Sequence, residues 1–216
     1  MNNVKPRTWV KMCGLKRRAE VEAAVTLGVD AIGLVFYPPS SRAVAAEQIN
    51  DIVCVPRKET LVVGLFVNPT RQEVEEVLAS GKVDVLQFHG DESPEFCRSF
   101  SVPYFKALGV PAEESQHALE QRFSEFADAQ CLLLDAFDPA QRGGTGHSFD
   151  WSKAAALPRP CKERLVLAGG LSAANVGAAI QTVKPFGVDV SSGIESRKGE
   201  KDIELMQRFY EGVLSA

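Results

Sequence analysis

Short apolar runs alternate with amphipathic stretches along the whole chain. Thr8 to Cys13, Ala31 to Phe36, Leu61 to Val67, Val83 to Phe88, Tyr104 to Leu108, Cys131 to Leu134, Leu165 to Leu167 and Gly187 to Val190 are brief and rich in β-branched residues, the pattern of buried strands. Between them, the spacing predicts helices over Lys16 to Leu27, Ala45 to Val53, Thr70 to Ala79, a stretch opened by Ser93-Pro94-Glu95, Glu114 to Phe126, Trp151 to Leu157, Ser172 to Val183 and Asp202 to Val213. In the first of these, Val21, Ala24 and Val25 form one stripe and Gly28 ends it. Ser93 reads as a cap with proline at the first helical position. Strict alternation of the two patterns argues for a parallel sheet. Strands apolar on both faces need cover on both. Eight such units argue for a closed barrel rather than an open doubly wound sheet. With no linker, low-complexity tract or long repeat, the expectation is one α/β domain over residues 1–216, a (β/α)8 TIM barrel.

In such a barrel, functional groups gather at the C-terminal ends of the strands, and phosphate sits in the loops after strands seven and eight. Those ends carry Cys13, Arg42, Asn68, His89, Asp91 and Asp135, then the turns Ala168-Gly169-Gly170 and Ser191-Ser192-Gly193. Small residues there let backbone N–H groups approach an anion, with a helix N-terminus following. Along the first strand, alternation puts Trp9, Lys11 and Cys13 on one side and Val10 and Met12 on the other. The polar set should face the barrel interior, where Lys11 would favour the Cys13 thiolate. Cys13 is then expected to open onto the barrel mouth and to be the most alkylatable of the thiols. Asp135 ends a run of three leucines, so partial desolvation should raise its carboxyl pKa and suit it to general-acid work.

Plainer readings stand beside these. A lone cysteine is usually a small core residue, and Cys54, Cys97, Cys131 and Cys161 keep that reading. A lone aspartate also suits a helix cap or turn, His89 alone reads as structural, and Arg42 alone as a surface charge near the stiff Pro38-Pro39 loop. Gly143 to Gly146 lacks a following Lys-Ser/Thr and is no P-loop.

Composition narrows the classes. A net charge of −4 argues against a nucleic-acid binder, so an anionic substrate must be held by local geometry. The longest apolar run, about seven residues from Leu61, is too short to span a bilayer. Lys5, Arg7 and Lys11 interrupt any signal-like core, and a cytoplasmic location is expected. The five cysteines form no C-x-x-C pair and the three histidines no i, i+4 pair, so neither a disulfide framework nor a metal site is expected.

Certain motifs recur in this order in one family. They are Lys11-Met12-Cys13-Gly14, Gly33-Leu34-Val35-Phe36 with Ser40 and Arg42, Val63 to Asn68, Gln87-Phe88-His89-Gly90-Asp91-Glu92 and Leu133-Leu134-Asp135. Gly143 to Gly146 with Phe149-Asp150-Trp151, Leu167 to Leu171 with Asn175-Val176, Gly187 to Glu195, and Lys201-Asp202 complete the set. Over nearly its whole length the chain resembles the phosphoribosylanthranilate isomerases of tryptophan biosynthesis. It differs from the usual pattern at Phe88, Ser41 and Ala173.

The resemblance implies an Amadori rearrangement of an N-phosphoribosyl anthranilate, with no cofactor and a small phosphosugar as the partner. Asp135 would be the general acid and Cys13 the general base. Arg42 would bind the anthranilate carboxylate, and Gly170, Ser191, Ser192 and Gly193 the phosphate. Lys11, Gln87, His89 and Gly144 are further candidates for the pocket wall. Monomer and homodimer both stay open. The histidine-pathway isomerase of the same reaction type carries Asp where Cys13 stands. Indole-glycerol-phosphate synthase needs a Lys/Glu set not found here. A non-catalytic phosphosugar-binding barrel would have no reason to pair Cys13 with Asp135.

Overall fold

Eight parallel strands close on themselves in chain order. They are β1 (Trp9–Cys13), β2 (Ala31–Val35), β3 (Leu61–Phe66), β4 (Val85–Phe88), β5 (Tyr104–Val110), β6 (Cys131–Ala136), β7 (Leu165–Leu167) and β8 (Gly187–Val190), with β8 pairing back onto β1. The structure is a computed structural model and describes residues 7–57, 59–111, 113–136 and 151–216. Helices α1 (Arg18–Leu27), α2 (Ile49–Ile52), α3 (Arg71–Leu78), α4 (Pro94–Arg98), α5 (Gln116–Glu125), α6 (Trp151–Ala155), α7 (Arg159–Lys162), α8 (Val176–Val183) and α9 (Ile203–Leu214) fill the connections. The expected eight-stranded (β/α)8 architecture is the observed one.

The apolar residues divide by strand alternation into two cores. Val10, Met12, Ile32, Leu34, Leu86, Phe88, Leu132 and Leu134 point outward under the helices. Ala31, Val63, Val85, Phe105, Cys131, Leu133 and Val166 fill the barrel itself, with Trp9 and Leu61 packed against them. Burying both strand faces explains why the strands read as near-continuous apolar runs. Phe88, a departure from the family pattern, sits in an aromatic cluster with Phe66, Phe96, Phe100 and Tyr104 at centroid distances of 5.7–6.4 Å. A ring there fills space between β4 and α4 that a smaller side chain would leave open.

Several ends follow local rules legible in the sequence. Thr70 Oγ1 accepts from Glu73 N while Glu73 accepts from Thr70 N, a reciprocal cap on α3. Ser93 caps α4 with Pro94 at the first position, and Asp202 accepts from Glu204 N and Leu205 N at the start of α9.

Elsewhere the structure differs from the periodicity. The helix expected over Ala45 to Val53 is a 3-10 turn, Ala46–Gln48, followed by the single turn of α2. The one expected over Trp151 to Leu157 stops at Ala155, and α7 starts anew after Pro158, which lacks an N–H and disfavours a helical residue before it. α8 begins at Val176 and not Ser172, because Asn175 Oδ1 accepts from Ser172 N and closes a turn there. β5 runs on to Val110 and pairs Gly109 with Asp135, which places Asp135 inside β6 and not just beyond it. A short antiparallel hairpin, β9 (Glu195–Arg197) and β10 (Glu200–Lys201), lies between β8 and α9 and has no counterpart in the sequence reading.

Candidate active site

β1 and β6 carry Cys13 and Asp135, a thiol and a carboxyl that can each exchange a proton. Cys13, with Val35 and Leu65, lines the upper interior of the barrel, and Asp135 follows the inward-facing Cys131 and Leu133 on β6. The two strands are separated round the wall by β8 and β7, so their inward side chains approach a bound molecule from different sides. Asp135 is buried, and its Oδ2 lies 3.4 Å from Nε2 of His89 at the end of β4. That contact places His89 directly beside the Asp135 carboxyl.

The environment of Cys13 departs from expectation in two ways. Cys13 is buried, only 4% exposed, whereas Cys54 is exposed. Lys11 is also buried and donates to Asp189 Oδ1 at 2.9 Å. Sγ and Nζ converge over β2: a Cβ added to Gly33 would meet Cys13 Sγ at 2.7 Å and Lys11 Nζ at 3.2 Å. Burial pushes the Cys13 thiol up. The Lys11 and Lys201 ammoniums pull it down, the Asp189 carboxylate opposes them, and the net direction is upward. The expected drop in the thiol's pKa is thus reversed, because desolvation of the thiolate outweighs the neighbouring cation. Lys11 stays charged: burial disfavours its ammonium, but Asp189 and Cys13 together raise it.

A labelling experiment reads this directly. Limiting iodoacetamide at neutral pH is expected to modify the exposed Cys54 before Cys13, with activity retained through the first label. Lys11→Met should move the titration of Cys13, followed by peptide mass mapping across pH, still higher, since it removes a cation that favours the thiolate. First labelling at Cys13, or no movement of its titration, refutes this picture.

Arg42, after β2, is likewise enclosed. Its Nε and Nη2 donate to the two carboxylate oxygens of Glu195 at 2.6 and 2.9 Å. Its backbone N–H donates to Ser40 Oγ, and a Cβ on Gly14 would come within 2.7 Å of its Cδ. The surface-charge reading of Arg42 is therefore excluded; one edge of its fork is held by the protein.

The turns after β7 and β8 form a continuous surface. Leu167 pairs with Val188, and the ladder resumes beyond the strands as a bridge between Ser172 and Gly193. Gly169 and Gly170 have φ of 78° and 66°, and Asn175 Nδ2 donates to Gly170 O. A Cβ on Gly193 would lie 1.9 Å from Leu171 O, so only glycine allows the two turns to meet. Ser191 Oγ donates to Cys13 O at 3.1 Å and accepts from Lys201 Nζ at 3.2 Å. Its hydroxyl therefore joins the turn to β1.

Of the remaining candidates, Gln87 points into the barrel from β4 with its Oε1 buried and unpartnered among the described residues. Gly144, with the rest of the Gly143 to Gly146 run, lies outside the described residues. Four charged residues were not singled out from the sequence: Asp189, Lys201, Glu92 and Lys106, all buried. A charge inside a strand otherwise made of apolar residues, as at Asp189 and Lys106, was the available signal. Glu92, Asp189, Lys201 and Glu195 were noted only as parts of motifs, and Glu195 is the residue on which Arg42 and Lys201 converge.

The comparisons agree with this geometry. Residues 10–212 match the family model described as N-(5'-phosphoribosyl)anthranilate (PRA) isomerase. The N-(5'-phosphoribosyl)anthranilate isomerases of Azotobacter vinelandii and Acinetobacter calcoaceticus are 47% and 46% identical over 95% and 96% of this chain and 97% of their own. A crystal structure of the Thermotoga maritima phosphoribosyl anthranilate isomerase is 33% identical with a TM-score of 0.83, covering 97% of this chain and all of its own. Another isomerase structure, in complex with reduced 1-(o-carboxyphenylamino)-1-deoxyribulose 5-phosphate, is 32% identical with a TM-score of 0.80, over the same shares of the two chains. On the family model and these full-length relatives, the chain belongs to the N-(5'-phosphoribosyl)anthranilate isomerase family.

Proposed function

We propose that Cys13 and Asp135 divide the proton transfers of the family's reaction, the isomerisation of N-(5'-phosphoribosyl)anthranilate in tryptophan biosynthesis, which is this chain's activity. Asp135 protonates the ribose ring oxygen, and the C1′–O bond opens to a Schiff base. Cys13, in its thiolate form, which burial makes the minor one, removes the C2′ proton, giving an enolamine that tautomerises to the aminoketone. Arg42 receives the anthranilate carboxylate on the edge of its fork that Glu195 leaves open. Backbone N–H groups of Gly170, Ser192 and Gly193, with Ser191 beside them, seat the phosphate. Gln87 Oε1 offers an acceptor to a substrate hydroxyl. His89 sits against the acid, and Lys11 holds a positive charge beside the base. No cofactor or metal enters these steps.

The observation that carries the reading is the placement of a thiol and a carboxyl, both inward, at the C-terminal ends of β1 and β6 above one glycine-lined double turn. A non-catalytic phosphosugar binder would need the double turn only. Among the described residues no helix is long and apolar enough to cross a membrane, and a cytoplasmic single-domain enzyme, monomeric or homodimeric, suits this reading. Turnover of N-(5'-phosphoribosyl)anthranilate, followed by loss of its fluorescence, is the test. Turnover of the histidine-pathway aminoaldose with none of the anthranilate substrate would reverse the substrate assignment.

A further inference from the structure

We propose that Glu195 is a positioning residue that aims Arg42 at the substrate carboxylate and fixes its distance from the phosphate turn. The proposal rests on the reading of Arg42 as carboxylate ligand and assigns the part of the structure that makes the arginine competent for it. Glu195 Oε1 accepts from Arg42 Nε and from Lys201 Nζ, at 2.6 and 2.8 Å, and Oε2 accepts from Arg42 Nη2 and Gly199 N at 2.9 and 3.1 Å. All three side chains are buried, Lys201 completely. Lys201 Nζ also donates to Ser191 O at 2.8 Å, and Ser191 Oγ to Cys13 O. One carboxylate thus links the arginine of the β2 loop, the turn after β8 and, through Ser191, the backbone of the base.

Donor geometry explains what this leaves for substrate. A guanidinium has five N–H groups in a planar fork. Glu195 takes the Nε/Nη2 edge, so the Nη1/Nη2 end, which matches a second carboxylate bidentately, faces away from it. Arg42 brings a positive charge and Glu195 a negative one; Lys201, whose pKa burial lowers although Glu195 opposes the shift, adds a second positive charge while protonated, which a monoanionic carboxylate balances. Glu195 remains ionised throughout the working range: burial would raise its pKa, but Arg42, Lys201 and the Gly199 N–H hold it down at about 2.

The hairpin of β9 and β10 is built to press this cluster onto the β2 loop. Gly199, at its turn, has φ 82°, and a Cβ there would lie 2.7 Å from Ser41 O, one residue before Arg42. Lys16 Nζ donates to the same carbonyl at 3.1 Å. Both neighbours of the Arg42 side chain, Gly14 below and Glu195 beside it, thus come from other strand ends.

The test compares two ligands of the intact enzyme by calorimetry: the reduced carboxyphenylamino product analogue and ribose 5-phosphate, which has the phosphate but no carboxylate. Glu195→Gln should weaken the analogue on the order of 10-fold, leave ribose 5-phosphate within about twofold, and raise KM more than it lowers kcat. In an Arg42→Ala background the same change should add nothing. Glu195→Asp keeps the negative charge but shortens its reach to Arg42, Lys201 and Gly199 alike, and should give the same loss on the analogue to a smaller degree if Glu195→Gln does not fold. Equal weakening of both ligands overturns the proposal and leaves Glu195 as a brace of the phosphate turn; no weakening of either overturns it outright. If Arg42→Ala itself weakens both ligands alike, the carboxylate reading of Arg42 fails, and the proposal with it, whatever Glu195→Gln does.

Discussion

Replacing Cys13 with Ala, or Asp135 with Ala, is expected to lower kcat by on the order of 10²–10⁴-fold, the usual worth of one general acid or base. The two losses have separate causes. In the proposed mechanism, the ring oxygen leaves unprotonated without the carboxyl, and the C2′ proton has no acceptor without the thiolate. The fold should survive both changes. Cys13→Ala removes one buried sulfur, while Lys11 keeps its partner Asp189. Asp135→Ala removes a carboxyl whose contact to His89 is long, at 3.4 Å. Ribose 5-phosphate affinity should therefore stay near the parent value in each, because the double turn is untouched. A variant that turns over at near-parent rate would remove that residue from the mechanism.

Breaking the buried pair of Lys106 and Glu92 should have the largest effect on stability. Lys106 Nζ donates to Glu92 Oε2 at 2.8 Å and to Gly90 O at 2.6 Å, beneath the helices and not inside the barrel. Glu92 in turn accepts from Asn68 N at 2.7 Å and Gly90 N at 2.9 Å. The side chains are only 4% and 2% exposed. Removing one partner strands the other charge out of water, at a cost of about 3–5 kcal/mol. For a chain of this size, that is a fall in Tm of roughly 6–20 °C. Lys106→Met is expected to fall in that range by calorimetric melting. The double change with Glu92→Leu should be milder, since no charge is left unpaired. By contrast, Arg159 and Glu163, with 90% and 63% of their side chains exposed, form a pair whose loss should hardly register. An unchanged Tm in Lys106→Met would refute the account. The pair also ties Gly90, next to His89, to β5 and to the loop after β3. A partly unfolded top in the variant would then appear first as lost turnover.

Much of this protein was legible from the chain alone. Apolar period, turn residues and caps are local properties, set by a residue and its neighbours within a few positions. They sufficed for eight strand–helix units, for closure in chain order, and for the list of strand ends where Cys13, Asp135, Arg42 and the two glycine turns stand. Glycine at 193 was read as opening the backbone to an anion; that it also meets Leu171 O, leaving no room for a Cβ, was not legible.

Only the tertiary structure decided which charges meet. Lys11 finds Asp189 at a separation of 178 residues, because β8 closes the barrel onto β1 in the register that pairs their backbones. Arg42 finds Glu195 at 153 residues, through a hairpin too short to leave a periodic signal. The state of Cys13 turned on the same point. Its sequence neighbour Lys11 argued for a lowered pKa, but burial, together with the distant Asp189, decides for a raised one. Alternation assigns a side chain to the inside of a barrel; strand register and closure decide what it meets there, and the balance between desolvation and those partners decides its charge.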